Sequence, residues 1–315
     1  MDSDLAGLLA VRGVVDRGDL RAAAVRPGAV RWALDRGLLL RVADGAFADP
    51  VAWRTWSPAR RHLALLRPAL RRAGPGAVVA GSSAAAVWGL PLVGGPPARP
   101  VLLRPRSPAR REHAGAARSV IGRRAWLEPD EVVVVHGIPV TTPARTFVDM
   151  SRATDGPWAL AMADALRRGG ASAADLRSAA ARRPGLPGSR RARWAAERAS
   201  PLPESPLESV ARGVMLVLGL PEPDLQVWIS GDAGGVTRYR ADLYVPAFRT
   251  VIEADGKVKY QGRAADPSQS WRDKRRRDDF MSWGHEVERF VAADAHRPEE
   301  WGRRLLRTFD RSRTR

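Results

Sequence analysis

The sequence contains no cysteine, few histidines and no long apolar segment. Without cysteine it can form neither a disulfide nor a thiolate zinc site, and its five histidines show no paired ligand spacing. Any metal ion must therefore be held mainly by carboxylates. No segment approaches the roughly 18 uninterrupted apolar residues of a membrane-spanning helix, and the acidic start Met1–Asp4 lacks the layout of a secretory signal. These absences predict a cytoplasmic protein with no membrane partner.

Basic residues, by contrast, are abundant. The 315 residues include 52 Lys and Arg against 34 Asp and Glu, which gives a formal net charge of +18. Such an excess favours a polyanionic partner, because phosphate binding releases condensed counterions. The same excess is also typical of a GC-rich genome, which raises arginine everywhere. Charge alone therefore favours DNA without establishing it, and the length predicts two or three domains.

The first 50 residues predict three short helices followed by a hairpin, the element set of a winged helix. Residues 4–10 favour one helix, Asp19 is placed to cap a second helix that reaches Ala24, and Pro27 opens a third that ends at Gly37. Residues 38–42 and 45–48 flank an Asp-Gly pair, a strong signal for a two-residue turn. The third helix is the candidate recognition helix, and its candidate DNA-binding residues are Arg26, Arg31 and Arg36.

Residues 51–182 predict a middle α/β domain. A basic helix covers residues 58–73, a short strand covers 76–81, and a small-residue helix follows over 82–88. Strands are expected within 99–141, and helices over 142–150 and 157–168.

Several polar and aromatic residues of this part are expected to be structural. Ser82 and Ser83 precede an alanine-rich helix, as capping serines do. Arg145 and Asp149 have the i, i+4 spacing of a helical ion pair. The tryptophans with apolar neighbours are expected in the core rather than as stacking platforms; they are Trp32, Trp88 and Trp158.

Proline, glycine and arginine accumulate in residues 183–203, which predicts a linker around one short helix at 189–199. Residues 204–315 then predict an α/β domain with a mixed sheet, in the order helix, three strands, helix, strand, helix. The whole chain is accordingly an α+β multidomain protein.

Four acids of this last domain form the sharpest candidate site. Glu208 lies on the predicted first helix and Asp242 on a strand, while Glu253 and Asp255 share one face of the next strand because they are two residues apart. A turn between the two strands can bring Asp242 beside Glu253. Carboxylates at the end of a buried strand are costly unless they bind cations.

Cations follow these acids in sequence. Lys257 and Lys259 come directly after, and a basic helix carries Lys274 and Arg275, which are predicted to contact DNA. Acids bordered by cations suit a phosphodiester held against Mg²⁺ or Mn²⁺, with a lysine that orients the nucleophile or stabilises negative charge. The alternative is a set of surface ion pairs, each of which contributes about 0–1 kcal/mol.

The last domain resembles the actinobacterial endonuclease-like domains related to very-short-patch repair endonucleases, of the PD-(D/E)XK type. The resemblance rests on residues 205–212, 219–226, 240–242, 253–260, 271–278 and 283–290. It implies that Glu208, Asp242 and Glu253 bind the metal, and it places Asp255 where the standard motif has lysine. Asp242 and Glu253 would be catalytic, together with Lys257 or Lys259 in the vacant lysine role.

The rest of the chain resembles the AbiEi family of antitoxin-like proteins. Residues 13–20 and 37–47 are similar to its winged helix, and residues 81–91 and 137–149 to its middle domain. This resemblance implies DNA binding in phage defence or a type IV toxin–antitoxin system, with a nucleotidyltransferase-type toxin as a partner.

Three functions follow from these interpretations. The leading hypothesis is a DNA-binding protein with a Mg²⁺-dependent endonuclease-like domain. The first alternative is a transcriptional regulator that keeps the acids without cleaving DNA, and the lysine missing after Glu253 favours it. The second is an antitoxin that acts through protein binding, with DNA contact limited to its own operator.

Overall fold

In a computed structural model the chain forms two compact units, Met1–Met150 and Ser151–Arg315. The structure describes residues 3–105, 121–231, 237–256 and 267–314. Helices and mixed or antiparallel sheets occur in both units, which confirms the predicted α+β class at this coarse level. Across the described ranges, every helix is too short or too polar to cross a membrane.

The first unit begins with three helices and a small antiparallel sheet whose strand order is β1-β3-β2. The elements are α1 (Ser3–Arg12), β1 (Val14–Asp16), α2 (Arg17–Ala22), α3 (Pro27–Asp35), β2 (Leu40–Ala43) and β3 (Ala46–Ala48). The predicted helices and hairpin are present, and Gly45 has the positive φ of 70° that the turn requires. Strand β1 was not predicted, since three residues are too few to show alternation.

The predicted cap of α2 was wrong by three residues. Asp16 is the N-cap, and its carboxylate accepts the N–H groups of Gly18 and Asp19. Asp19 occupies the third helical position and accepts the N–H of Asp16 in return, which completes a capping box.

Trp32 also differs from its predicted place in the core. Its side chain on α3 is 44% exposed, and the Arg36 guanidinium lies 5.2 Å from its ring centroid. Ala33 and Leu39, by contrast, are buried with Leu5 and Phe47. Trp88 and Trp158 pack against buried apolar clusters, as predicted.

The remainder of the first unit is built on a five-stranded mixed sheet in the order β6-β5-β4-β8-β7. Its elements are α4 (Pro50–Thr55), α5 (Pro58–Ala73), β4 (Val78–Val79), α6 (Gly81–Val87), β5 (Val101–Pro105), β6 (Ile121–Ala125), β7 (Val132–Val135), β8 (Ile138–Thr141) and α7 (Pro143–Ser151). Helix α4 and strand β6 were not predicted.

Ionic contacts join the N-terminal helices to α5. The Arg71 guanidinium lies 2.9 Å from the Asp16 carboxylate and 2.7 Å from that of Asp19. Because these acids also form the capping box of α2, this contact spans the boundary expected at residue 50. Further along, Arg145 forms the predicted ion pair with Asp149 (2.9 Å) and a buried one with Glu131 (2.6 Å).

Ser83 is not a cap but a buried link between α6, α5 and β5. Helix α6 starts after Ala80 without a side-chain cap. The Ser83 hydroxyl instead accepts the N–H of Val101 at 2.7 Å and lies within hydrogen-bond distance, 2.9 Å, of Nε2 of His62. His62 is buried, and this burial lowers its pKa below 6.5.

The second unit has helices on both faces of a four-stranded sheet. Its elements are α8 (Gly156–Arg168), α9 (Ala173–Ala181), α10 (Ser189–Arg198), α11 (Pro206–Val217), β9 (Asp224–Ser230), β10 (Arg238–Val245), β11 (Thr250–Asp255), α12 (Pro267–Ser282), β12 (Glu286–Val291) and α13 (Pro298–Arg313). The strand order is β12-β11-β10-β9, with β11 and β12 parallel and the other pairs antiparallel. The predicted mixed sheet is present.

Two apolar clusters fix the faces of this sheet. On one face, Leu243 and Ile252 are buried with Val214 of α11 and Trp301 of α13. On the other face, Phe280 of α12 is buried with further strand residues, which are Ile229, Ala241, Val251 and Val287.

Helices α8 to α10 belong to the second unit, together with the elements that follow residue 203. Gly213 of α11 packs so closely on α8 that a Cβ there would lie 2.6 Å from Pro157 Cα. Asp164 of α8 is fully buried 3.7 Å from Arg212 of α11 and accepts the N–H of Ser200. Burial raises the pKa of Asp164 to about 6. Composition predicted a linker over residues 183–203, the segment that contains the short, arginine-rich helix α10.

We predict that acid destabilises the first unit through His62. Since the folded pKa lies below 6.5, the unfolded chain takes up a proton at a higher pH than the folded chain does. The contribution of His62 is therefore complete above about pH 6.5 and decreases below it, by at most about 1.4 kcal/mol per pH unit. Urea unfolding of the full chain at pH 7.5 and 5.5 measures this change, which should shrink in His62→Gln.

The matched control is His136→Asn, which removes an exposed histidine of the same unit. This variant should keep the pH dependence of the wild type. An equal pH dependence in His62→Gln and the wild type would contradict the prediction.

Candidate active site in the second unit

The four predicted acids lie on three elements of the second unit. Ser205 caps α11 by accepting the N–H of Glu208, which places Glu208 in the first helical turn. Asp242 lies in the middle of β10, and Glu253 and Asp255 lie at the end of β11. The negative charge of Asp242 raises the pKa of both Glu208 and Glu253, so Asp242 is close enough to repel each of these two carboxylates.

Glu208 is buried and held by hydrogen bonds. Its Oε2 accepts the backbone N–H of Glu204 at 2.8 Å and the side-chain amide of Gln226 at 2.7 Å. Burial is the main reason that its pKa is raised, and the charge of Asp242 adds to this effect. The hydrogen bonds oppose the shift by stabilising the carboxylate.

Gln226 is a site residue that the sequence prediction missed. Its φ of +56° is left-handed, although it lies within β9 and is not glycine. The ladder between β9 and β10 pairs Ala241 with Val227 and Leu243 with Leu225, and skips Asp242 opposite Gln226. Left-handed backbone at such a residue costs about 1–3 kcal/mol and concentrates at functional sites.

The ladder between β10 and β11 also ends next to Asp242. Pairing between β10 and β11 ends at Leu243 and Ile252, so Glu253 is the next residue opposite Asp242. The Asp242 carboxylate accepts the backbone N–H of Ala254 at 3.0 Å. This bond fixes Asp242 against β11, and it confirms that the predicted hairpin brings Asp242 beside Glu253.

Glu253 has an arginine partner that was not assigned to the site. Nη2 of Arg276, on α12, lies 3.0 Å from Oε1 of Glu253 and also donates to the carbonyl of Arg240 at 2.6 Å. Burial raises the pKa of Glu253, Arg276 lowers it and Asp242 raises it further. Arg276 belongs to the predicted basic helix. It is recognised as a site residue only when the structure shows which face of α12 is turned to the sheet.

Asp255 is paired with a different cation. It lies 4.0 Å from Nη1 of Arg289 on β12, and its side chain is 36% exposed. Asp255 and Glu253 share a strand face by spacing, yet their ionic partners differ. Lys257 and Lys259, the two candidate catalytic lysines, lie outside the described residues.

The oxygen atoms of this site suit a hard cation, although the acids are not arranged as a complete metal site. In the part of the chain that the structure describes, no three His, Asp or Glu side chains are grouped so as to hold a metal ion. Oε1 of Gln226 is buried and accepts no hydrogen bond from the described residues, whereas Oε1 of Glu253 forms the ion pair with Arg276. Carboxylate and amide oxygens are the ligands that Mg²⁺ and Mn²⁺ prefer.

The predicted DNA-binding residues are exposed in both units. Lys274 and Arg275 lie on the exposed side of α12, where the Arg275 guanidinium is 5.8 Å from the ring centroid of Trp271. In the first unit, Arg26 is the N-cap of α3, Arg31 lies on the helix and Arg36 follows it. These side chains are available to phosphate groups.

We predict that Asp242→Asn lowers the pKa of both Glu208 and Glu253, because the charge of Asp242 raises both. Carboxyl ¹³C NMR titration of the metal-free chain measures the two midpoints. Asp255→Asn is the matched control and should leave Glu208 unchanged. Unchanged midpoints in Asp242→Asn would mean that the three carboxylates do not converge.

Comparison with known proteins adds relatives without a described activity. No protein-family model matches the chain. The uncharacterized proteins MT2308 and Rv2248, from two strains of Mycobacterium tuberculosis, are each 34% identical over 181 residues, which is 57% of this chain and 65% of theirs. The chain thus covers less than two thirds of the length of these relatives.

One solved structure is also similar. The crystal structure of the RV2827C protein from Mycobacterium tuberculosis matches with a TM-score of 0.40 and 21% identity, over 72% of this chain and 85% of that protein. A TM-score this low does not establish a shared fold, so nothing about this chain follows from it.

Proposed function

We propose that this chain is a DNA-binding protein whose second unit is a divalent-metal-dependent endonuclease of the PD-(D/E)XK type. The observation that carries the proposal is the position of Asp242 beside Glu253 where the β10–β11 ladder ends, with Glu208 held by Gln226 of the neighbouring strand. Like charges that are partly removed from water are costly to a fold that does not use them. The left-handed backbone of Gln226 at the same place supports a functional origin.

Each residue then has a role in phosphodiester hydrolysis. Glu208, Asp242 and Glu253 hold Mg²⁺ or Mn²⁺, and Asp255 is a further candidate ligand. The bound ion would neutralise a phosphate oxygen and lower the pKa of a coordinated water. Gln226 keeps Glu208 oriented through its amide, and Lys257 or Lys259 takes the lysine role that the family resemblance implies.

Arg276 has two uses in this proposal. Next to Glu253 it offsets negative charge while no metal is bound. Because guanidinium binds phosphate oxygens as readily as carboxylates, it can transfer to the DNA backbone when metal takes its place at Glu253. Lys274 and Arg275, on the exposed side of α12, extend the cationic surface toward the same phosphates.

The first unit supplies a second DNA contact through α3. In this proposal residues 1–50 act as a winged helix, with Arg26, Arg31 and Arg36 on phosphates. Exposed Trp32, beneath Arg36, adds an apolar contact on the same helix. The AbiEi resemblance suggests a role in phage defence or a type IV toxin–antitoxin system with a nucleotidyltransferase-type toxin, and the proposed location is the cytoplasm.

The second candidate is a transcriptional regulator or antitoxin that binds DNA without cleaving it. The ion pair between Glu253 and Arg276 favours this candidate, because the arginine lies where a cation would otherwise neutralise the acids. The lysine missing directly after Glu253 favours it as well. Metal-dependent cleavage separates the two candidates.

We predict that the purified chain nicks plasmid DNA with Mg²⁺ or Mn²⁺ and not with EDTA. Asp242→Asn and Glu253→Gln should reduce nicking to background, since each removes a ligand charge. Lys257→Ala and Lys259→Ala, tested separately, identify the lysine. The matched control is Glu299→Gln, which neutralises an exposed acid on α13.

If the wild type neither nicks DNA nor binds Mg²⁺ or Mn²⁺ in calorimetry, the endonuclease proposal is wrong and the regulator takes its place. Activity that survives in both acid variants would also contradict the assigned site.

We predict that Arg31→Ala and Arg36→Ala weaken binding of duplex DNA by the full chain in EDTA. The logarithm of the affinity should decrease less steeply with the logarithm of salt, by about one unit of slope for each phosphate that the variant no longer neutralises. Fluorescence anisotropy at several salt concentrations measures this slope. Arg177→Ala, which removes an exposed arginine of α9, should change it little; wild-type slopes in both α3 variants would refute the role of these arginines.

A further inference from the structure

An exposed tryptophan lies beside the carboxylate cluster on the sheet of the second unit. Trp228 of β9 is 58% exposed. Its neighbours Val227 and Ile229 pack with Phe280 on the α12 side of the sheet. Trp228 therefore lies on the face of β9 opposite α12, exposed to solvent and next to the active-site acids.

The strand brings this ring close to the candidate active site. Gln226, which binds Glu208, precedes Trp228 by two residues, a separation of about 7 Å along a strand. The segment just before α11, which begins at Pro206, also contacts this part of the sheet. In that segment, Glu204 accepts a hydrogen bond from Arg240 at 2.7 Å.

Two arginines frame the ring. The Arg238 guanidinium lies 4.9 Å from the ring centroid of Trp228. Arg240 is directly opposite Trp228 in the β9–β10 ladder, and Glu204 offsets part of its charge. Arg238 is exposed, so its charge is available to a phosphate while its planar group extends the aromatic surface.

We propose that Trp228, Arg238 and Arg240 form a stacking platform for an unpaired base of single-stranded DNA. This inference rests on the proposed function and names its substrate class, a strand with at least one unstacked base next to the phosphodiester to be cut. An exposed aromatic ring with a guanidinium over it and a second arginine opposite it in the ladder matches the π-face and backbone charge of a single strand. In a duplex the base faces are already stacked, so such a ring gains little.

The platform differs from a purely structural cation–π pair in what it binds. An exposed pair of this kind contributes about 0.5–1 kcal/mol to folding, and its removal leaves DNA binding unchanged. Removal of a stacking platform weakens the affinity for single strands and leaves the base unstacked. The test therefore reads base stacking directly.

The experiment uses the full chain in EDTA, which prevents cleavage, and a short oligothymidylate carrying one 2-aminopurine. Wild-type protein should quench the 2-aminopurine fluorescence by stacking. Trp228→Ala should abolish the quenching and weaken single-strand binding on the order of tenfold. Trp228→Phe, which keeps a ring, should retain most of both, and Arg238→Ala should weaken binding without abolishing quenching.

The matched control is Trp126→Ala, which removes a tryptophan that is 61% exposed and donates to Glu128 in the first unit. It should bind the single strand as the wild type does. Urea unfolding of each variant shows whether the second unit is folded, and Trp228→Phe keeps the test valid if Trp228→Ala unfolds.

Three results would overturn the platform. One is wild-type quenching and affinity in Trp228→Ala. Another is an equal weakening of single-strand and duplex binding, which would make Trp228 a general DNA-binding residue. A third is a wild-type protein that binds duplex but no single strand, which would contradict the platform and leave the proposed function in place. If the protein binds neither form, both the platform and the proposed function are wrong.

Discussion

Electrostatic repulsion from Asp242 on two neighbouring glutamates constrains the architecture around the candidate active site. Burial raises the pKa of Glu208 and of Glu253, and the charge of Asp242 raises both further. The surrounding elements respond with donors: the Gln226 amide, the Ala254 N–H and the Arg276 guanidinium. Both ladders of β10 are interrupted at Asp242, so the local irregularity of the sheet coincides with this group of charges.

Part of this site was predictable because it depends on local periodicity. A spacing of two places Glu253 and Asp255 on one strand face, and a short turn brings Asp242 opposite Glu253. The partners of these acids that come from distant parts of the sequence were not predictable in the same way. Left-handed Gln226 gives no sequence signal since it is not glycine, and the selection of Arg276 among neighbouring arginines depends on how α12 faces the sheet.

The fold shows the same limit. Long periodic helices such as α5 and the hairpin at Gly45 were predicted because their signals are local. The cap of α2 is a local choice between Asp16 and Asp19. Strand β1, by contrast, depends on its pairing with the more distant β3, and the exposure of Trp32 depends on how α3 packs. The contact of Arg71 with Asp16 and Asp19 is the clearest example, since it joins segments that composition separates at residue 50.

The packing of α8 on α11 has a consequence for how such chains evolve. The segment expected to fold as the last domain begins near Ser205, but Asp164 and Pro157 lie against Arg212 and Gly213 of α11. A recombination joint placed in the proline- and arginine-rich segment would remove α8 from the face of α11 at Gly213 and would leave Arg212 with Glu222 as its acidic partner. Gene fusions that transfer the four-stranded sheet of the second unit intact are therefore expected to carry α8 with it, and to join upstream of Gly156.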